Sequence, residues 1–138
     1  MEMVVTFPGG ARVDAQLGAH TIRTDQPRQA GGEDSAPAPF ALFLASLGTC
    51  AGIYVLGFCR QRGLPTDGIQ IVQRMEPDPR TGMIGAMTIE IQVPPEFPEK
   101  YKDALTRAAS QCAVKKHLEV PPRMEVTTVV VEGAGASR

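Results

Sequence analysis

From Ser35 to Cys59 the chain carries no Asp, Glu, Lys, Arg or His, and no other feature limits the fold as strongly. A helix of this length is long enough to span a bilayer, so it is either a membrane span or the buried centre of a globular protein or dimer. The stretch opens with Pro37 and Pro39 and contains Ser46, Gly48, Thr49 and Gly52. Strand-patterned segments on both sides need a core to pack on. These features favour a buried central helix and no membrane partner. Pro39 suits the first turn of that helix. Gly63 suits its end, after Arg60 and Arg62, cations favoured by a C-terminal dipole.

Around this helix the pattern is antiparallel. Residues 2–8 and 11–17 read as strands joined by Gly9-Gly10, and a third short strand centres on Thr21, Ile22 and Arg23. Residues 26–38 form a loop rich in Pro, Gly and Ala. Strands follow over 69–75 and 83–93, with a turn at Pro77–Gly82 between them. A second helix is expected from about Glu99 to at least Ser110, continuing through Cys112 to Glu119. Residues 124–131 read as a last strand, and 133–138 as a disordered tail. The class is α+β, with antiparallel sheets around one long helix plus a second helix.

With 138 residues there is room for one domain, 1–138, and with aromatics at 5 % and no Trp its core must be aliphatic. A net charge of -1 leaves no basic field for nucleic acid. Met1 to Pro8 lacks the basic and long apolar regions of a secretory signal. Three irregularly spaced cysteines argue against a secreted disulfide framework. The expected location is cytoplasmic, a reducing compartment with free or reactive thiols. No Cys-x-x-Cys is present, and two lone histidines make no zinc pattern.

Cys50 and Cys59 share the first helix but lie on opposite faces, ~13.5 Å apart along the axis at the standard rise, too far for a disulfide. Cys59 reads as a structural thiol. Gly48 and Gly52 on one side of the helix suit close approach of another backbone, such as the same helix of a second copy. On the second helix Tyr101, Leu105, Ala108 and Cys112 form one apolar stripe. Cys112 therefore points inward, toward the first helix, and is a plausible disulfide partner for a thiol there.

The stretch PAPFALFLASLGTCAGIYVLGFCRQRG, Pro37 to Gly63, and the stretch AASQCAVKKHLEVPP, Ala108 to Pro122, resemble the two cysteine motifs of one family. This is the osmotically inducible protein C and organic hydroperoxide resistance (OsmC/Ohr) group. His20 to Pro27 and the loop Gly31–Asp34 match its general form. The resemblance implies an intertwined homodimer with two active sites at the interface. It implies that Cys50 attacks a hydroperoxide and becomes a sulfenic acid, which Cys112 resolves as a disulfide. A dithiol reductant, a lipoyl protein in some members, would restore the pair, and no metal, haem or flavin cofactor is needed.

A thiol in the middle of an apolar helix should have a raised pKa, so this chemistry asks for a fixed cation. The family takes an Arg from the N-terminal hairpin. Arg12 is the candidate here, with Arg23 second. The family's Glu, nine or ten residues before the reactive Cys, is absent: those positions are Ala41 and Phe40. Glu33 or Asp34 are the substitutes the loop offers. The leading expectation is a thiol-dependent reductase of organic hydroperoxides. The alternative is a non-catalytic or redox-sensing dimer that binds a small hydrophobic ligand. A Cys–His hydrolase using His20 or His117 ranks far behind, since neither histidine comes with a motif.

Overall fold

Glycine-led hairpins and one long apolar helix set the architecture, and the computed structural model describes residues 1–133. The expected tail, apart from Gly133, lies outside them. Strands β1 (Val4–Gly9), β2 (Arg12–Leu17) and β3 (His20–Thr24) form an antiparallel sheet in that order. Gly10 turns the first hairpin with φ 58, a left-handed conformation that favours glycine. Pro8 is tolerated because β1 is an edge strand with an irregularity between Thr6 and Gly9.

Asp25 then organises the loop. It is 1 % exposed, and its carboxylate accepts hydrogen bonds from the Ser35 hydroxyl and from the N–H groups of Gln26, Glu33 and Ser35. These donors, the Ser35 hydroxyl foremost, hold the carboxyl down at about 2. Because the folded value is depressed, the stabilisation is present above the usual carboxylate range and is lost as pH falls toward about 2. Gly32 is required by the same closure, because a Cβ there would lie 2.0 Å from the Gln26 carbonyl oxygen.

Helix α1 (Pro39–Gln61) starts on Pro39 and ends before Gly63, whose φ is 63, at the bounds expected from the sequence. It is long and apolar enough to cross a membrane. Within the chain it is buried on one face only, through Leu47, Ala51, Val55, Phe58 and Cys59, while Ile53 is 60 % exposed. Strands β4 (Gln70–Pro77) and β5 (Ile84–Gln92) make a second antiparallel sheet. Gly48 and Gly52 face this sheet: a Cβ on Gly48 would lie 2.5 Å from Gln73 Oε1, and one on Gly52 3.7 Å from Ile71. Gln73 fills the gap by donating to the Leu44 carbonyl at 2.8 Å.

Beyond a short 3-10 turn, α2 (Lys102–Ala109) packs Leu105 and Ala109 against α1. The expected continuation does not occur: Ser110 caps α2, and a separate α3 (Ala113–Glu119) begins after Cys112. The expected strand over 124–131 joins no sheet among the described residues, and all its residues are exposed. A strand needs a ladder partner, and this segment has none among the described residues. Arg62 closes the far end of α1, its guanidinium 3.6 Å over the Phe58 ring.

Leu105, 2 % exposed, is the centre of the α1–α2 contact. Leu105→Ala is expected to lower unfolding free energy by about 2–5 kcal/mol in denaturant titration. A loss under about 1 kcal/mol would show that α2 is not part of the cooperative core.

Candidate active site

The break between α2 and α3 creates the site. With no proline or glycine to mark it, the chain turns at Ser110 and Gln111 and re-enters a helix with Cys112 as its N-cap. The Cys112 sulfur accepts the Lys115 N–H at 3.4 Å. It also lies 3.9 Å from the carbonyl oxygen of Leu47, on the turn of α1 that precedes Cys50. Cys112 is buried and Cys50 half-buried. The structure thus brings these two distant thiols together.

Their surroundings polarise them in opposite senses. The Val114 N–H, then the Cys112 thiol, then the Ala113 N–H hydrogen-bond to Cys50 and lower its pKa against the opposing effect of burial. Cys112 moves up, chiefly because it is buried, and also because its proton is shared toward Cys50. The expectation that Cys50 would be raised is reversed. Its own helix offers no N-terminus, but the first turn of another helix supplies unpaired N–H groups. Sequence reasoning missed Ala113 and Val114 because a cysteine is not among the usual N-cap residues that announce a helix start.

The arginines sit elsewhere. Arg12, on β2, donates from Nε to the Gly9 carbonyl at 3.2 Å. Arg12, Asp14, Arg23 and Ser35 line one cavity on the N-terminal sheet, and Asp14 is the register partner of Arg23. One buried Asp14 oxygen finds no donor among the described residues. Neither arginine is among the groups that shift Cys50. Within one chain, Arg12 and Arg23 are therefore not brought to the thiol. Glu33 and Asp34 are exposed on the loop and form no ion pair with either arginine among the described residues. Phe40 stacks on Phe43 with ring centroids 5.6 Å apart.

Cys59 is fully buried, and burial raises its pKa against the pull of Arg62. His117 Nδ1 lies 2.6 Å from the Ala113 carbonyl oxygen, and the ring is exposed, as is His20. A cavity of about 400 Å³ adjoins the thiol pair, with Leu47, Met87, Ile89, Ile91, Leu118 and Cys112 in its wall.

The polarisation gives a pH test. In iodoacetamide labelling of Cys50, the half-maximal rate should fall below the ordinary thiol range. Cys112→Ala should move it upward, because a donor to the thiolate is removed. An unchanged or lower midpoint in that variant would contradict the hydrogen-bonded pair.

A family model described as OsmC-like protein matches residues 32–127. No curated protein matches the chain. Among solved structures, a candidate osmotic stress induced and detoxification response protein of Psychrobacter arcticus superposes with a TM-score of 0.65 at 24 % identity, covering 83 % of this chain and 85 % of that one. A hypothetical protein of Aquifex aeolicus gives 0.61 at 17 % identity, over 88 % of this chain and 89 % of that one. The organic hydroperoxide resistance protein OsmC of Legionella pneumophila gives 0.51 at 16 %, over 86 % and 89 %. At these identities the solved structures establish the α+β fold, and the family match covers the end of the loop, both cysteine motifs and both sheet strands between them. The chain is a member of the OsmC-like protein family.

Proposed function

We propose that this chain reduces organic hydroperoxides with thiol electrons. The observation that carries the reading is that Cys112, the N-cap of α3, lies against the Leu47 carbonyl on the turn of α1 that precedes Cys50, in surroundings that lower Cys50 and raise Cys112. The Cys50 thiolate attacks the distal oxygen of the hydroperoxide, the O–O bond breaks, and the alcohol leaves after taking a proton. Cys50 is then a sulfenic acid. The Cys112 sulfur attacks it, water leaves, and a disulfide joins the two. A dithiol reductant returns both to thiols by exchange. The apolar side chains near the pair suit a hydroperoxide with a hydrocarbon body, and the name of the Legionella relative points the same way. The reducing cytoplasm is the compartment in which such a cycle can be recharged.

The working unit in this proposal is an intertwined homodimer. Among the described residues, three apolar surfaces are exposed within one chain: Val4, Val5 and Phe7 on β1, Ile53 on α1, and the valines of 126–131. A second copy that covers them also carries its N-terminal sheet, and with it Arg12, toward the first copy's Cys50. Arg12 then supplies the cation that the thiolate and the departing oxygen both favour.

A second reading, a redox-sensing or non-catalytic dimer with a small hydrophobic ligand, is favoured by the apolar cavity and by Phe40 and Ala41 standing where a Glu is usual. The lowered Cys50 weighs toward the enzyme.

Turnover of cumene hydroperoxide with a dithiol separates these readings. Cys50→Ser should abolish it, Cys59→Ser should leave most of it, and Cys112→Ser should give a sulfenic acid that dimedone traps. Co-expressed Arg12→Ala and Cys50→Ser chains should recover activity in the mixed dimer, because one site then has both groups. Turnover by Cys50→Ser, or loss in Cys59→Ser as deep as in Cys50→Ser, would overturn the assignment. An inactive mixed dimer would place Arg12 outside the partner's site.

A further inference from the structure

The polar face of the N-terminal sheet holds a carboxylate oxygen with nothing to accept. Asp14 lies within β2, with Thr6 of β1 and Arg23 of β3 as its register partners on either side. Arg12, two residues earlier on the same strand, shares that face. Arg12, Asp14, Arg23, Thr24 and Ser35 line one cavity of about 370 Å³. Asp14 Oδ1 is buried without a donor among the described residues. Leaving a buried acceptor unpaired is costly, so this oxygen is a place for a hydrogen-bond donor. The nearby hydroxyls are committed elsewhere: Thr24 donates to the Val13 carbonyl and Ser35 to Asp25. Arg12 donates from Nε to the Gly9 carbonyl, and Arg23 forms no ion pair among the described residues.

Two guanidinium groups against one carboxylate give the cavity a surplus of positive charge. A ligand that suits it offers oxygen acceptors to the arginines and one O–H to Asp14. The end of a hydroperoxide, O–O–H, is such a group. We propose that Asp14 is a catalytic residue for hydroperoxide reduction, supplied with Arg12 by one copy of a dimer to the Cys50 of the other, where its Oδ1 accepts the hydroperoxide O–H. The proposal rests on the reading of the chain as a dimeric hydroperoxide reductase.

Asp14 supplies what the arginines cannot. A guanidinium donates hydrogen bonds but keeps its protons, so it steadies a departing alkoxide without protonating it. Among the residues that line the cavity, Asp14 alone is a group that can take up a proton and return it. As the Cys50 sulfur attacks the distal oxygen, an S–O bond forms and the O–O bond breaks. The electron pair of the broken bond passes to the alkoxide. The proton of the distal oxygen moves to Asp14 and from there to the alkoxide, which leaves as the alcohol. Cys50 is left as a sulfenate, and a proton from water makes it the sulfenic acid. The sulfur loses two electrons, the peroxide gains two, and Asp14 ends ionised as it began.

The test compares two reactions of Cys50, only one of which brings an O–H that Asp14 can accept. Oxidation by cumene hydroperoxide and alkylation by iodoacetamide are each followed by peptide mass across a pH series. Asp14→Asn keeps the shape of the side chain but cannot carry a proton. In this variant oxidation of Cys50 should slow at least tenfold. The alkylation midpoint should hold or fall, because a negative charge near the thiolate has gone. A rise in that midpoint would show that Asp14 works only by fixing a guanidinium, and would overturn the proposal. Oxidation at the unsubstituted rate would overturn it as well. A second measurement does not depend on the fold of the Asp14→Asn homodimer. Asp14→Asn and Cys50→Ser chains are co-expressed with different affinity tags, and the mixed dimer is isolated. Its one Cys50 faces an intact Asp14, so it should oxidise at the unsubstituted rate. Slow oxidation in the mixed dimer would overturn supply from the other copy. Failure of the unsubstituted protein to oxidise at Cys50 would overturn the hydroperoxide reading itself, and this proposal with it.

Discussion

The contact between the first turn of α3 and the middle of α1 is the constraint on which the site depends. A thiol in the centre of an apolar helix has every carbonyl and N–H of its own helix already paired, so nothing local favours its thiolate. The first turn of a helix is the opposite case, with unpaired N–H groups seeking acceptors. Bringing the second to the first satisfies both needs, as the Val114 and Ala113 donors to Cys50 show. It works only because the chain breaks after Ala109 and restarts at Ala113. A continuous helix from Lys102 to Glu119 would have paired those N–H groups with carbonyls of its own preceding turn.

The rest of the chain serves that contact. Leu105 and Ala109 seat α2 on α1, and the Gln73 amide holds α1 at Leu44, beside the gap that Gly48 leaves. The N-terminal sheet stands apart, its loop fixed by the buried Asp25 and its Arg12, Asp14 and Arg23 gathered round a separate cavity. The thiol pair and the guanidinium groups of Arg12 and Arg23 are thus built on different parts of a single chain. Their separation within one chain, together with the uncovered valines and β1 surface, is what favours a dimer in the proposed mechanism.

Much of this was legible in the residues. Pro39 and Gly63 bounded α1 because a missing N–H and a left-handed residue are the simplest helix punctuation. Gly9-Gly10 marked the first hairpin, and the stripe of Leu105 and Cys112 gave the buried side of the second helical region. The illegible parts share one cause: they are decided by tertiary partners. Ser110 and Gln111 carry no breaker signal, so the α2–α3 break could not be read. The pKa of Cys50 depends on donors 63 and 64 positions away in sequence. Gly48 was open to several neighbours, and only the structure assigns the space to Gln73. Residues 124–131 have a strand's pattern but no ladder among the described residues, since a strand is defined by its partner as much as by its own residues.

The central claim, that Cys50 and Cys112 act as one redox pair, is tested most directly by adding equimolar cumene hydroperoxide to the reduced protein and mapping the product by intact mass and peptide analysis. The account predicts a loss of two hydrogens and a Cys50–Cys112 disulfide, with Cys59 still free. Both thiols left reduced at equimolar peroxide, or oxidation lodged on Cys59, would contradict it.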